Sequence, residues 1–136
     1  MLPRFSQVLD FQAQALLLRA DRQRLIASNI ANADTPGFQA REMDFAAALR
    51  AATAGAAPAD GALRTHPAHI TPTLNLAGER HLRWAAASQS SLDGNSVDMD
   101  RERASFADNA VRYEASLRFI NGSVRTMLDA IRGQSQ

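Results

Sequence analysis

The chain has no cysteine, no lysine, few aromatic residues and no apolar run of membrane-spanning length. Each absence removes a class of explanation. Without cysteine there is no disulfide frame, no thiol chemistry and no cysteine zinc site. Without lysine there is no phosphate loop of the G-x-x-x-x-G-K-[ST] kind, and no G-x-S-x-G elbow is present to expose a nucleophilic serine. No stretch of about 18 apolar residues occurs, so direct membrane insertion is not expected. The N-terminus lacks a basic leader, an apolar core and a small-residue cleavage site, which predicts no ordinary secretory signal. An excess of one charge sign is missing too. All 15 cations are Arg, set against 14 acids, for a net charge of +1. The balance is local, five against five over residues 1–45 and six against six over 98–136. With no basic stripe, no nucleic-acid partner is expected.

What the chain has in quantity is alanine, 27 of 136 residues. Alanine favours helix and lets helices approach closely, but buries little area per residue. A thin, elongated core follows.

The longest pattern runs from Asp98 to Arg132. Apolar residues step by three and four through Met99, Phe106, Ala110, Tyr113, Leu117, Ile120, Val124, Met127 and Ile131, with Arg103 alone breaking the series. This 3.5-residue average is how a helix keeps one face against a supercoiling partner. Asp98 or Asp100 is placed to cap its start. At 1.5 Å per residue the helix would be about 50 Å long, so it needs something equally long beside it. A second, shallower face carries Ala104, Val111, Ala115 and Gly122. A mid-helix Gly costs about 1 kcal/mol relative to Ala, which invites a packing reason.

The partner is a helix predicted from Pro3 to Ile30. Phe5, Leu9, Ala13, Leu16, Ala20 and Ala27 share one face, while Phe11, Leu18 and Leu25 lie roughly opposite. One antiparallel partner covers only one of these, so the second face is expected to meet neighbouring subunits rather than water. Burial between two layers of its own domain is the competing account. The stretch from Ala27 to Phe45 ends the helix, because the Asn and Asp side chains bond locally and Pro36-Gly37 marks a turn.

The expected fold is mainly α, with long N- and C-terminal helices paired as an antiparallel coiled-coil hairpin around an extended, partly β middle and a flexible linker. Its parts are the N-terminal helix (1–32), a helix exit and extended arm (33–45), an Ala/Gly/Pro-rich mobile linker (46–62), a short extended or β segment (63–97) and the heptad helix (98–136). A short helix reaching about Thr53 opens the linker stretch. Phe5, Leu9, Leu16, Met99, Phe106, Tyr113, Leu117, Ile120 and Val124 are assigned to the intrachain seam. Phe11, Leu18, Leu25, Ala104, Val111, Ala115 and Gly122 are assigned to contacts between subunits.

Catalytic and metal chemistry find little support. His66 and His69 have half a metal spacing, but Pro67 spoils the helical arrangement and no ligand set completes it. Asp98, Asp100 and Glu102 cluster at a solvated helix start, where capping and the helix dipole explain them better than acid–base work. No catalytic residue, metal site or cofactor is assigned.

Two strings carry a resemblance. Asn29-Ile30-Ala31-Asn32 with Thr35-Pro36-Gly37-Phe38, extended by Ala40-Arg41 and Asp44-Phe45, resembles the N-terminal signature of bacterial flagellar rod and hook axial proteins. Thr65-His66-Pro67-Ala68-His69-Ile70 and Gly94-Asn95-Ser96-Val97-Asp98 are similar to the basal-body rod members, with slight departures at Ser96 and Met99. The likeness covers both ends and much of the middle, missing mainly Ala46–Leu63. It implies a non-enzymatic subunit of the proximal rod that polymerises helically into the drive shaft and export channel of the flagellum. It also implies passage through the flagellar type III export apparatus without a cleaved signal, and as partners other rod proteins and membrane-ring or rod-adaptor proteins. Phe5-Ser6-Gln7-Val8-Leu9 fits a short export-recognition pattern. A closed helical-hairpin adaptor or chaperone, an enzyme using the histidine-containing middle, and a different proximal rod subunit stand as alternatives.

Overall fold

In the computed structural model the described residues are 2–54, 81–86 and 92–133, with side chains described from Ser6 onward. They form α1 (Leu2–Ala31), β1 (Arg41–Met43), α2 (Phe45–Thr53), β2 (Leu82–Trp84) and α3 (Met99–Arg132). The 30 residues of α1 and 34 of α3 span about 45 and 51 Å at 1.5 Å per residue. They lie antiparallel. Val8 and Leu9 sit beside Phe119 and Gly122, Asn109 bonds the carbonyl of Arg19, and Asn29 bonds Glu102.

Termini explain why the helices begin and end where they do. The Asp98 carboxylate accepts from the Arg101 N–H at 3.1 Å, with Asp100 and Glu102 in the positive first turn. Gly133 closes α3 at φ 68°, a left-handed conformation cheap only for glycine. The short α2 starts on Asp44, whose carboxylate accepts from the Ala47 N–H at 3.0 Å. That bond, with Arg83 and Arg50 nearby, holds the Asp44 carboxyl below its ordinary range.

The short helix expected to reach about Thr53 is α2, so residues 46–53 are helix rather than part of a 46–62 mobile linker; from residue 55 onward the stretch lies outside the described residues. The helix alters the packing of α1. It lies against α1 with Ala48 buried, and the Arg19 guanidinium sits 4.5 Å from the centroid of the Phe45 ring. Burial, then the Arg112 and Arg22 charges, lowers the Arg19 pKa. Leu18, expected to face neighbouring subunits, is only 3% exposed. The chain therefore supplies its own second layer on this side of α1, and Leu18 belongs to the core with Ala15, Ile26, Ala40 and Met43.

The expected extended middle appears as a two-stranded antiparallel ribbon. Arg41 pairs with Trp84, Glu42 with Arg83 and Met43 with Leu82. Ala85 N–H to Ala40 and Asp44 N–H to His81 extend the ladder at 2.9 and 3.0 Å. His66 and His69 lie outside the described residues.

Candidate functional site: the helix junction and the assembly faces

The two strings that carry the resemblance meet in space. Asn29, in the last turns of α1, is buried at 2% exposure. Its Nδ2 donates to the Arg41 carbonyl at 2.9 Å, while its Oδ1 accepts from the Arg41 N–H at 3.2 Å. One amide side chain thus pairs with β1 as a strand would. The same Nδ2 reaches the Glu102 carboxylate at 3.2 Å. Burial pushes the Glu102 pKa up, against a smaller lowering from that Asn29 bond.

After Ala31 the chain turns tightly, leaving carbonyls that no helix satisfies. Asn95 collects them. Its Nδ2 donates to the carbonyls of Asn32, Ala33 and Thr35 at 2.9, 2.7 and 2.9 Å, and its Oδ1 accepts from the Val97 N–H at 2.8 Å. Asn32 donates back to the Ser28 carbonyl at 2.8 Å and accepts from Thr35 Oγ1 at 3.2 Å. Gly37, at φ 71°, donates to the Asp93 carbonyl, and a Cβ on Gly94 would lie 3.8 Å from its Cα. Ser96 fastens the arm from the far side, its Oγ accepting from the Ala40 N–H at 2.7 Å and its N–H donating to the Phe38 carbonyl. The motif Asn29–Phe38 is thus one half of a hydrogen-bonded junction, and Asp93–Val97 is the other. Ile30 and Phe38 are half-buried within it; Ala31, Thr35 and Pro36 are exposed.

The seam between α1 and α3 departs from the expected one. Asn109 is its most buried member at 1% exposure, donating to the Arg19 carbonyl at 2.9 Å and to Gln23 Oε1 at 2.6 Å. Glu102, Ser105, Tyr113, Ser116, Ile120, Ser123 and Met127 continue that line as half-buried residues. It too steps by three and four, sharing Tyr113, Ile120 and Met127 with the apolar series and lying one position before it at 105, 109, 116 and 123. Phe106, Leu117 and Val124, assigned to the intrachain seam, therefore sit on its edge, 36–39% exposed. Leu9, Leu16, Met99, Tyr113 and Ile120 are half-buried, and the Phe5 side chain lies outside the described set. Beside the seam, Phe106, Ala110 and Tyr113 of α3 and Ala20, Gln23, Arg24 and Ala27 of α1 line an open groove of about 480 Å3.

Of the residues assigned to neighbouring subunits, Phe11, Ala104, Val111 and Gly122 are exposed, and Leu25 and Ala115 are half-buried. Beyond Gly122 an added Cβ would meet nothing within 4 Å. Asn109 was missing from the sequence assignment, while Asn95 and Ser96 stood there only in the family string and Glu102 only as a helix-start acid. Hydropathy alone gives no weight to an Asn or Ser at a heptad position, and only their 3.5-residue phase could have marked the seam members.

The profile of the flagella basal body rod protein family matches residues 9–39, from the middle of α1 through the Pro36-Gly37 turn. The whole chain is similar to the flagellar basal body rod protein FlgB of Proteus mirabilis, with 43% identity over 97% of this chain and 98% of that protein. It is 42% identical to FlgB of Escherichia coli K12 over the same shares. With FlgB of Cereibacter sphaeroides the identity is 38% over 96% of this chain and 98% of the relative.

Proposed function

The chain belongs to the flagellar basal body rod protein family and is a structural subunit of that rod; we propose that it polymerises in the proximal rod through the outer faces of its α1–α3 hairpin. The observation that carries this reading is the large apolar surface left open on both long helices. Phe11, Val111, Phe119 and Ile131 are exposed at 48–71%. A chain of this size leaving so much of its helices bare needs other subunits to cover them. Phe11, Leu25, Ala104, Val111, Ala115 and Gly122 form the intersubunit faces, Leu18 being buried within the subunit. The junction built on Asn29 and Asn95 fixes where each long helix leaves the middle segment, and so how the faces are presented.

Its partners in this reading are further copies of itself, other rod proteins, membrane-ring and rod-adaptor proteins of the basal body, and the flagellar type III export apparatus. Phe5-Ser6-Gln7-Val8-Leu9 is the candidate export element. Family membership is that of a structural protein, and the junction and seam read as positioning devices rather than reaction centres. No helix among the described residues is long and apolar enough to cross a membrane.

The test is a Val111→Asp subunit supplied as the only copy. Val111 is 69% exposed, so the isolated chain should keep its helicity by circular dichroism while swimming is lost. Normal swimming, with the variant present in purified basal bodies, would remove the α3 outer face from the interface.

A further inference from the structure

The β1–β2 ribbon has one edge closed and one edge open. In an antiparallel pair, alternate residues turn their N–H and C=O toward the partner strand and the others turn them away. The bonds from Ala85 to Ala40 and from Asp44 to His81 put 81, 83 and 85 in the inward set, so Leu82 and Trp84 point their main-chain groups outward. On β1 the outward residue Arg41 is satisfied at both groups by the Asn29 amide, at 2.9 and 3.2 Å. Nothing among the described residues does the same for Leu82 or Trp84. The open edge offers two N–H donors and two carbonyls about 7 Å apart, which is what an added strand requires. An open cleft of about 360 Å3, lined by Arg41, Leu82, Arg83 and Trp84, lies there.

The side chains define what that strand carries. Leu82 and Trp84 share one face of the ribbon, and Arg83 stands on the other. Trp84 is 69% exposed, an aromatic anchor left in water. Arg83 has only a long, exposed contact with Asp44, at 3.7 Å. In an added strand, the residue opposite Arg83 lies on its face, and the residues on either side of it lie on the face of Leu82 and Trp84. An acid opposite Arg83 is favourable and a like charge is not. We propose that the β2 edge binds an extended segment of another protein with an acidic residue between two apolar ones, the acid opposite Arg83 and the apolar pair against Leu82 and Trp84. A second copy of β2 is the wrong occupant. Two-fold pairing of Leu82 with Trp84 would set Arg83 against its own copy, and a two-fold contact closes on itself whereas a rod extends. Only that last point rests on the rod-subunit reading.

Trp84 is the only tryptophan in the chain, so its emission reports occupancy of the edge without background. The probe is a blocked nonapeptide with Val-Glu-Val at its centre and threonines on both sides, titrated into the full-length subunit up to millimolar concentration. A saturable blue shift is expected, with binding about fivefold weaker for the same peptide carrying Val-Lys-Val, a cross-strand difference of about 1 kcal/mol. No shift with either peptide, or equal binding of the two, overturns the proposal, and neither result depends on a variant folding. Leu82→Pro removes one outward N–H and no ladder bond, a change an edge strand tolerates. It should keep the helicity of the subunit and abolish peptide binding, whereas Leu82→Val should keep both. Peptide binding by Leu82→Pro equal to the wild type overturns the strand-addition geometry. Supplied as the only copy, Leu82→Pro should impair swimming and Leu82→Val should not; normal swimming with Leu82→Pro overturns the use of this edge in the flagellum. The rod assignment falls separately, if the unsubstituted chain is missing from purified basal bodies.

Discussion

Replacing Asn95 by Asp changes one NH2 to one oxygen and almost nothing in shape. In the native junction that NH2 donates to three carbonyls within 2.7–2.9 Å while the residue is 6% exposed. An oxygen there faces three acceptors with nothing to donate. Three lost bonds at about 0.5–1.5 kcal/mol each sum to roughly 1.5–4.5 kcal/mol. Two hydrogens serve three carbonyls, so about 1–3 kcal/mol is the better figure for Asn95→Ala, which only loses them. Asn95→Asp at neutral pH adds an unpaired buried charge and should cost more. Against a typical stability of about 5–15 kcal/mol, either change is large. Acid separates the two variants, because a protonated carboxyl can donate once and recover part of the loss. Urea unfolding of the wild type, Asn95→Ala and Asn95→Asp, followed by circular dichroism at neutral and acid pH, measures this. Asn95→Asp matching the wild type at neutral pH, or falling further behind Asn95→Ala in acid, would refute the account.

Other substitutions separate subunit stability from assembly. Asn109→Leu removes the unpartnered Oδ1 but strips Arg19 and Gln23 of their donor, so it should cost about 1 kcal/mol of monomer stability and weaken the fixed register of α1 on α3. Unfolding midpoints and cysteine cross-links between the helices would show both effects. Gly122→Ala should stabilise the isolated chain by about 0.5–1 kcal/mol, since helix propensity improves and space is open; reduced swimming despite that gain would mark Gly122 as an assembly contact. Glu102 has a folded-state pKa raised by burial. Its favourable contribution is therefore complete below the unfolded value near 4.5 and is lost as pH rises through the folded value. Glu102→Gln should flatten that part of the stability–pH curve, and an unchanged slope would show that another group sets it.

The long helices were legible because caps, heptad stepping and the Pro36-Gly37 turn are local signals that tertiary structure did not override. The rotation of α3 was not. Two series of period 3.5 coexist on it, meeting at Tyr113, Ile120 and Met127 and elsewhere one residue apart, one apolar and one built from Ser105, Asn109, Ser116 and Ser123. Hydropathy favours the first, whereas close approach and the bonds of Asn109 to Arg19 and Gln23 favour the second. Leu18 was misplaced for a similar reason. An alanine-rich nine-residue helix looks too slight to make a layer, yet Ala48 can be buried completely because it is small. Asn95 was quoted in the family string without a role, since its three acceptors lie 60–63 residues away in sequence.

The junction also couples the two long helices. Asn95 ties residues 32–35 to the start of α3, and β1–β2 pairing brings residue 43 opposite residue 82. A substitution that loosens either tie is therefore felt at the departure of both long helices at once.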